Sequence, residues 1–132
     1  MSPRVLVVDD TEHVRSMLVD ILRLYGFDVV GQAADGHEAI RVTAELRPDI
    51  VVMDYRMPGK DGVQTTREIR EAVPDQQVIL YSAFIDAQLQ EEAIQAGVAA
   101  CVPKGSGVES LATEISALAM DLGGNDDGSR RE

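Results

Sequence analysis

Four short apolar runs in this chain each lead into residues able to take part in ionic or phosphoryl chemistry. Val5-Leu6-Val7-Val8 runs into Asp9-Asp10, and Ile50-Val51-Val52-Met53 into Asp54. Val78-Ile79-Leu80-Tyr81 ends on Ser82, and the run at 99–102 is followed, after Pro103, by Lys104. Taken singly, each has an ordinary structural use. An aspartate caps a helix and complements its dipole, Asp54 can lead into a Met57-Pro58-Gly59 turn, and a serine hydroxyl can close a turn. A lone lysine is most often solvated. Taken together they point elsewhere. Three carboxylates gathered at one place repel one another unless a cation lies among them. The hard, oxygen-preferring candidate is Mg²⁺, which takes one or two carboxylates and keeps waters and phosphate oxygens as its other ligands. An aspartate held ionised in this way can attack phosphorus, as carboxylates do in aspartyl-phosphate chemistry. The transferring group then needs positive charge and an orienting hydroxyl, and Lys104 and Ser82 are the right types. The cluster has no histidine or cysteine, so hydrolytic triad chemistry has no support.

The elements that must position these residues alternate along the chain. The Val5–Val8 run is β-branched and continuous, as in a parallel strand buried on both faces. Over 11–25, Val14, Met17, Leu18, Ile21 and Leu22 recur at helical spacing, with Glu12, Arg15 and Asp20 directed elsewhere. Gly26 ends that helix. A weaker strand at 27–33, interrupted by Asp28 and Gln32, suits a sheet edge. A helix at 36–46 stops before Pro48, and Ile50–Met53 is the clearest buried strand. The remaining helices fall at 63–73, closed by Pro74, at 86–96, stopped by Gly97, and at 108–122, carrying Leu111, Ile115 and Leu118. Strands at 78–81 and 99–102 separate them. Residues 123–132 read as a flexible tail or the start of a linker.

Five strand–helix units in strict alternation imply an α/β doubly wound parallel sheet with helices on both faces. At this length the flavodoxin-like strand order 2-1-3-4-5 is the natural choice. Ligands in such sheets bind at the carboxyl ends of the strands, at the switch point between strands one and three. Asp9, Asp10 and Asp54 fall there, with Ser82 and Lys104 next along the same rim.

Bulk properties set outer bounds. The chain has 132 residues, 45% hydrophobic and 27% charged, which fits one globular domain and not disorder. Its single cysteine excludes an intramolecular disulfide framework or a multi-cysteine zinc site, and suits a reducing cytoplasm. No segment reads as a signal peptide or a membrane span. A net charge of −11 argues against direct nucleic-acid binding, since phosphates would be repelled.

The sequence resembles the receiver (chemotaxis-regulator-like) domains of two-component signalling over residues 3–122. The matching pieces are Val7-Val8-Asp9-Asp10, Val52-Met53-Asp54 with Arg56-Met57-Pro58-Gly59-Lys60-Asp61-Gly62, Tyr81-Ser82-Ala83, and Lys104. The resemblance implies that Asp54 accepts a phosphoryl group from a sensor histidine kinase. It implies that Asp10 and the Arg56 carbonyl ligate Mg²⁺ directly, with Asp9 acting through bound water. Lys104 would pair with phosphoryl oxygens and Ser82 would hydrogen-bond them. Gly62 would serve the loop after the site. Arg56 and Phe84 lie near the rim, where such positions in receivers influence how long the phosphoryl group survives. His13 and His37 are expected to face solvent.

Two departures stand out. Many receivers follow the lysine with proline across a cis peptide, whereas here Lys104 precedes Gly105 and follows Pro103. Lys104-Gly105-Ser106 looks more like receivers joined to LuxR-type DNA-binding outputs, which leaves a stand-alone receiver and the first part of a longer transcription regulator both open. Cys101 stands where receivers usually carry Tyr or Phe, and reads as a small buried hydrophobe. The usual aromatic readout is therefore not expected, and backbone movement has to carry more of the switch.

Rival readings are a small Mg²⁺-dependent phosphohydrolase, a flavodoxin-like cofactor binder, and a pseudo-receiver acting only as an interaction module. The first wants a second aspartate where Arg56 stands. The second wants a Gly- and hydroxyl-rich cradle where Asp9-Asp10 stand. The third would normally have lost an acidic residue or the lysine. Receiver function further implies a phosphoacceptor rather than an enzyme, and homodimerisation on phosphorylation as one output.

Overall fold

The structure, a computed structural model, describes residues 2–124. Strands β1 (Arg4–Val8), β2 (Asp28–Ala33), β3 (Ile50–Met53), β4 (Gln77–Ser82) and β5 (Ala100–Pro103) alternate with helices α1 (Glu12–Leu24), α2 (Gly36–Leu46), α3 (Gly62–Ala72), α4 (Ala87–Ala96) and α5 (Val108–Gly124). A single 3-10 turn, Lys104–Ser106, joins β5 to α5. All strand pairs are parallel, in the order β2-β1-β3-β4-β5. The expected doubly wound sheet is present, with the weak, polar-interrupted β2 at one edge.

The strands' alternation divides the core into two layers. Leu6, Val8, Val51, Met53, Val78 and Leu80 pack with residues of α2, α3 and α4 such as Val42, Ile69 and Ala93. Val5, Val7, Ile50, Val52, Ile79, Tyr81 and Val102 pack with Leu18, Val19 and Leu22 of α1 and Leu111 and Ile115 of α5. Burial of this continuous apolar surface is the main force fixing the strand order. One expectation for α1 fails. Met17 lies on the exposed flank at 56% of its full accessibility, and Val19 takes the core position instead. The apolar stripe is rotated because α1 packs over β1 and β2, which turns Val19 toward Val29 and leaves Met17 on the open groove beside Val108.

Helix starts explain several of the acidic residues. Asp35, Asp61 and Asp86 cap α2, α3 and α4, each accepting the backbone N–H three residues on at 2.8 Å. Asp9 behaves differently. It lies two residues before the cap position of α1, and its Oδ1 accepts the Thr11 N–H at 2.9 Å. Its other oxygen is left for the rim. At the far end, α5 continues through Gly124, two residues past the expected end of the helix. The rest of the expected tail lies outside the described residues.

Candidate functional site

The rim residues are set by the last rung of the sheet. Val8 pairs with Met53, and the Asp54 N–H then donates to the Val8 carbonyl at 3.0 Å. The Asp9 N–H donates to the Ala33 carbonyl of β2 at 3.1 Å. The ladder bonds thus continue one residue past each strand, and both aspartates sit on backbone whose position the sheet dictates. Carboxylate oxygens of Asp9, Asp10 and Asp54 all lie within 4.8 Å of one another. Asp9 is buried at 3% exposure, Asp54 is half-buried and Asp10 is open to solvent.

Lys104 reaches into this cluster from the end of β5. Its Nζ is 3.3 Å from Asp9 Oδ2 and 3.7 Å from Asp54 Oδ1. The same ammonium stands 5.8 Å from the centre of the Tyr81 ring. The Asp54 carboxyl is held above the usual carboxylate range. Burial is the main cause; the Lys104 charge and the Tyr55 N–H pull it down, while Asp9 and Asp10 push it up. One ammonium facing three carboxylates leaves an excess of negative charge at a place lined by oxygens. That donor set fits a hard divalent cation such as Mg²⁺. An open groove beside it is lined by Asp10, Tyr55, Arg56, Met57, Pro58 and Asp61.

The other expected residues fall around this centre. Ser82 ends β4, buried, opposite Pro103 in the register and so one residue from Lys104. Arg56 is exposed, and with Phe84, 67% exposed, it lines a second groove that runs to α4. Gly62 starts α3 so close to the loop that an added Cβ would fall 2.3 Å from the Asp54 carbonyl oxygen. Its N–H closes the loop by donating to the Tyr55 carbonyl at 2.8 Å. Both histidines are exposed. Cys101 is half-buried against the α2–α4 layer, and burial raises its thiol above the ordinary range. Every peptide bond among the described residues is trans, those flanking Lys104 included.

Two participants escaped sequence reasoning. Helical spacing directs Arg15 away from the apolar stripe of α1, but its Nη1 donates to the Asp9 carbonyl at 2.7 Å and its Nε to Gln32 Oε1 at 3.1 Å. Its place in the first turns of the helix that follows Asp9 was the available signal. Tyr81 is legible in the sequence as a strand residue and as part of the Tyr81-Ser82-Ala83 match, but its contact with Lys104 is not.

Comparison with known proteins agrees with this geometry. The model of the response regulator receiver domain family matches residues 5–116. The chain is 42% identical to the chemotaxis protein CheY of Thermotoga maritima, over 74% of this chain and 81% of that protein. It is 36% identical to the response regulator GacA of Pseudomonas aeruginosa over 85% of this chain, and spans about half (53%) of that relative's length. Among solved structures, a LuxR-family two-component response regulator from Aurantimonas sp. SI85-9A1 superposes with a TM-score of 0.84 at 33% identity, covering 100% of both chains. With its strand order, its acidic rim and these relatives in agreement, the chain belongs to the response regulator receiver domain family.

Proposed function

We propose that Asp54 is the phosphoacceptor of this receiver domain, and that its phosphorylation by a sensor histidine kinase switches the surface of the chain. The chain is a receiver domain of a response regulator in two-component signalling. The observation that supports Asp54 as its phosphoacceptor is the Lys104 ammonium bridging Asp9 and Asp54 at 3.3 and 3.7 Å within a three-carboxylate cluster.

In the step proposed, an Asp54 carboxylate oxygen bonds to phosphorus as the phosphorus–nitrogen bond of a phosphohistidine breaks. The bonding pair returns to the imidazole nitrogen. Asp10, Asp54 and the Arg56 carbonyl would hold Mg²⁺, with Asp9 acting through water. Bound there, the ion supplies positive charge to the phosphoryl oxygens. Lys104 is already within ion-pair distance of Asp54 and follows the new charge, while the Ser82 hydroxyl donates to a phosphoryl oxygen. Phosphorylation adds roughly one to two negative charges and three strong acceptors at this rim. The change shifts the loops after β4 and β5 by as much as the two states differ in affinity for the group. A full reversal from 1:99 to 99:1 takes about 5.5 kcal/mol.

The same reading takes residues 3–122 as the receiver and the following residues as the start of a linker, with a cytoplasmic location and a second copy as partner after phosphorylation. The net charge of −11 weighs against nucleic acid as a direct ligand. Among the described residues no helix is long and apolar enough to cross a membrane. Because the transcriptional regulatory protein LiaR of Bacillus subtilis, 36% identical over 86% of this chain, is about twice as long as the segment matched, control of a transcription output is part of the proposal. A pseudo-receiver role is not favoured, because Asp9, Asp10, Asp54 and Lys104 are all present and in contact range. Incubation with an autophosphorylated histidine kinase and Mg²⁺ tests the reading: label passes to the wild-type chain and not to Asp54→Asn. Equal labelling of both proteins would reject it.

A further inference from the structure

We propose that Tyr81 is a positioning residue for Lys104, its ring face holding the ammonium over the Asp9–Asp54 carboxylates before phosphorylation. This rests on the reading of Lys104 as the cation that meets the phosphoryl group.

The backbone around Lys104 does little to fix its side chain. Lys104 begins a single 3-10 turn, Gly105 follows with open space about it, and Gly107 takes a positive φ of 90°. Four rotatable bonds then separate the backbone from the ammonium. Something outside the turn has to choose among the resulting positions. The two carboxylates pull the ammonium inward, and the Tyr81 ring is the aromatic wall of the groove it crosses.

The sheet dictates the placement of that ring. Tyr81 pairs with Val102 across the β4–β5 ladder and so shares its face of the sheet, two residues before Lys104 begins the 3-10 turn. The ring is 6% exposed and packed in the α1–α5 layer, which leaves it no freedom to turn away. Lys104 and Tyr81 share one groove with Asp9, Val14, Met17 and Val108. A centroid distance of 5.8 Å falls within reach of attraction between a cation and an aromatic face. The phenol sits above the ordinary tyrosine range through burial, with the Lys104 charge pulling it back, so the ring stays neutral and the contact persists at physiological pH.

The chain contains two lysines, Lys60 and Lys104, which makes the test direct. With ¹³C-labelled lysine, the Lys104 side-chain methylene signals are expected upfield of those of Lys60, displaced by the Tyr81 ring current. Tyr81→Phe keeps the displacement; Tyr81→Leu abolishes it, with Lys60 unmoved as the control for folding. Phosphorylation by a small acyl phosphate with Mg²⁺ is expected to slow about tenfold in Tyr81→Leu and to recover in Tyr81→Phe, on the scale of a partly desolvated cation–aromatic contact. Undisplaced Lys104 signals in the wild-type protein would overturn the proposal, as would a Leu variant phosphorylated at the normal rate or a Phe variant as slow as Leu. The resonance arm needs no phosphodonor. It therefore separates failure of this contact from failure of Asp54 as phosphoacceptor, which Asp54→Asn labelling reads on its own.

Discussion

The Lys104 ammonium lies 3.7 Å from the Asp54 carboxylate, bridging two strand ends that the sequence keeps far apart. Because β5 and β3 are separated by β4 in the sheet, that distance holds only if the strand order is right and the lysine leans inward across the rim. It gives the site a counter-charge before any ligand arrives, and it makes the behaviour of Asp54 predictable.

Asp54 is held in an unfavourable ionisation. Its carboxyl is raised in the folded chain, so the fold binds its proton more tightly than the unfolded chain does, and this contribution to stability falls as pH rises through the carboxylate range. Asp54→Asn is therefore expected to stabilise the metal-free protein at neutral pH by about 1 kcal/mol. The gain should shrink as pH is lowered and the wild-type carboxyl takes up its proton. Urea denaturation at several pH values in the presence of a chelator measures both effects.

Divalent cation binding should reverse that penalty. Mg²⁺ at a hundredfold excess over its dissociation constant is expected to add about 2.7 kcal/mol to stability. Thermal unfolding with Mg²⁺, against K⁺ at matched ionic strength, reads this as an upward shift in Tm. Asp10→Asn should lose most of the shift while folding normally, since Asp10 is exposed and packs against little.

Gly62 is required by contact and not by backbone conformation. The Cβ of an alanine there would meet the Asp54 carbonyl oxygen at 2.3 Å and Met53 Cγ at 3.0 Å, and the backbone oxygen cannot step aside without moving Asp54. Gly62→Ala should cost about 2 kcal/mol of stability and slow phosphorylation as well. Chemical denaturation and a phosphorylation time course test the two halves.

Arg15 anchors Asp9 from behind. Removing its hydrogen bond to the Asp9 carbonyl in Arg15→Ala is expected to cost about 1–2 kcal/mol and to weaken Mg²⁺ binding by loosening the aspartate's backbone. Calorimetric titration with Mg²⁺ against the wild type checks the second effect, which a purely structural role for Arg15 would leave unchanged.

Most of the architecture was legible because each buried strand is an unbroken apolar run and each helix has a punctuating Gly or Pro near its end. The acids were legible because Asp9, Asp10 and Asp54 each follow such a strand directly. What escaped was lateral. Whether Met17 or Val19 faces the core depends on how α1 lies across β1 and β2, which its own periodicity does not encode. Arg15 looked like a solvated helix residue because its acceptor is a backbone carbonyl, invisible to residue type. Tyr81 is legible as a residue of the fourth strand, but its contact with Lys104 arises from the β4–β5 register and from the inward lean of a flexible side chain.

The central claim is that one carboxylate, that of Asp54, forms the bond to phosphorus. Borohydride reduction of the protein after treatment with a small acyl phosphate and Mg²⁺ converts an aspartyl phosphate to homoserine, which peptide mass spectrometry can locate. The expected result is homoserine at position 54 and at neither 9 nor 10. Homoserine at Asp9 or Asp10, or none at all in a protein that has taken up phosphate, would contradict the account.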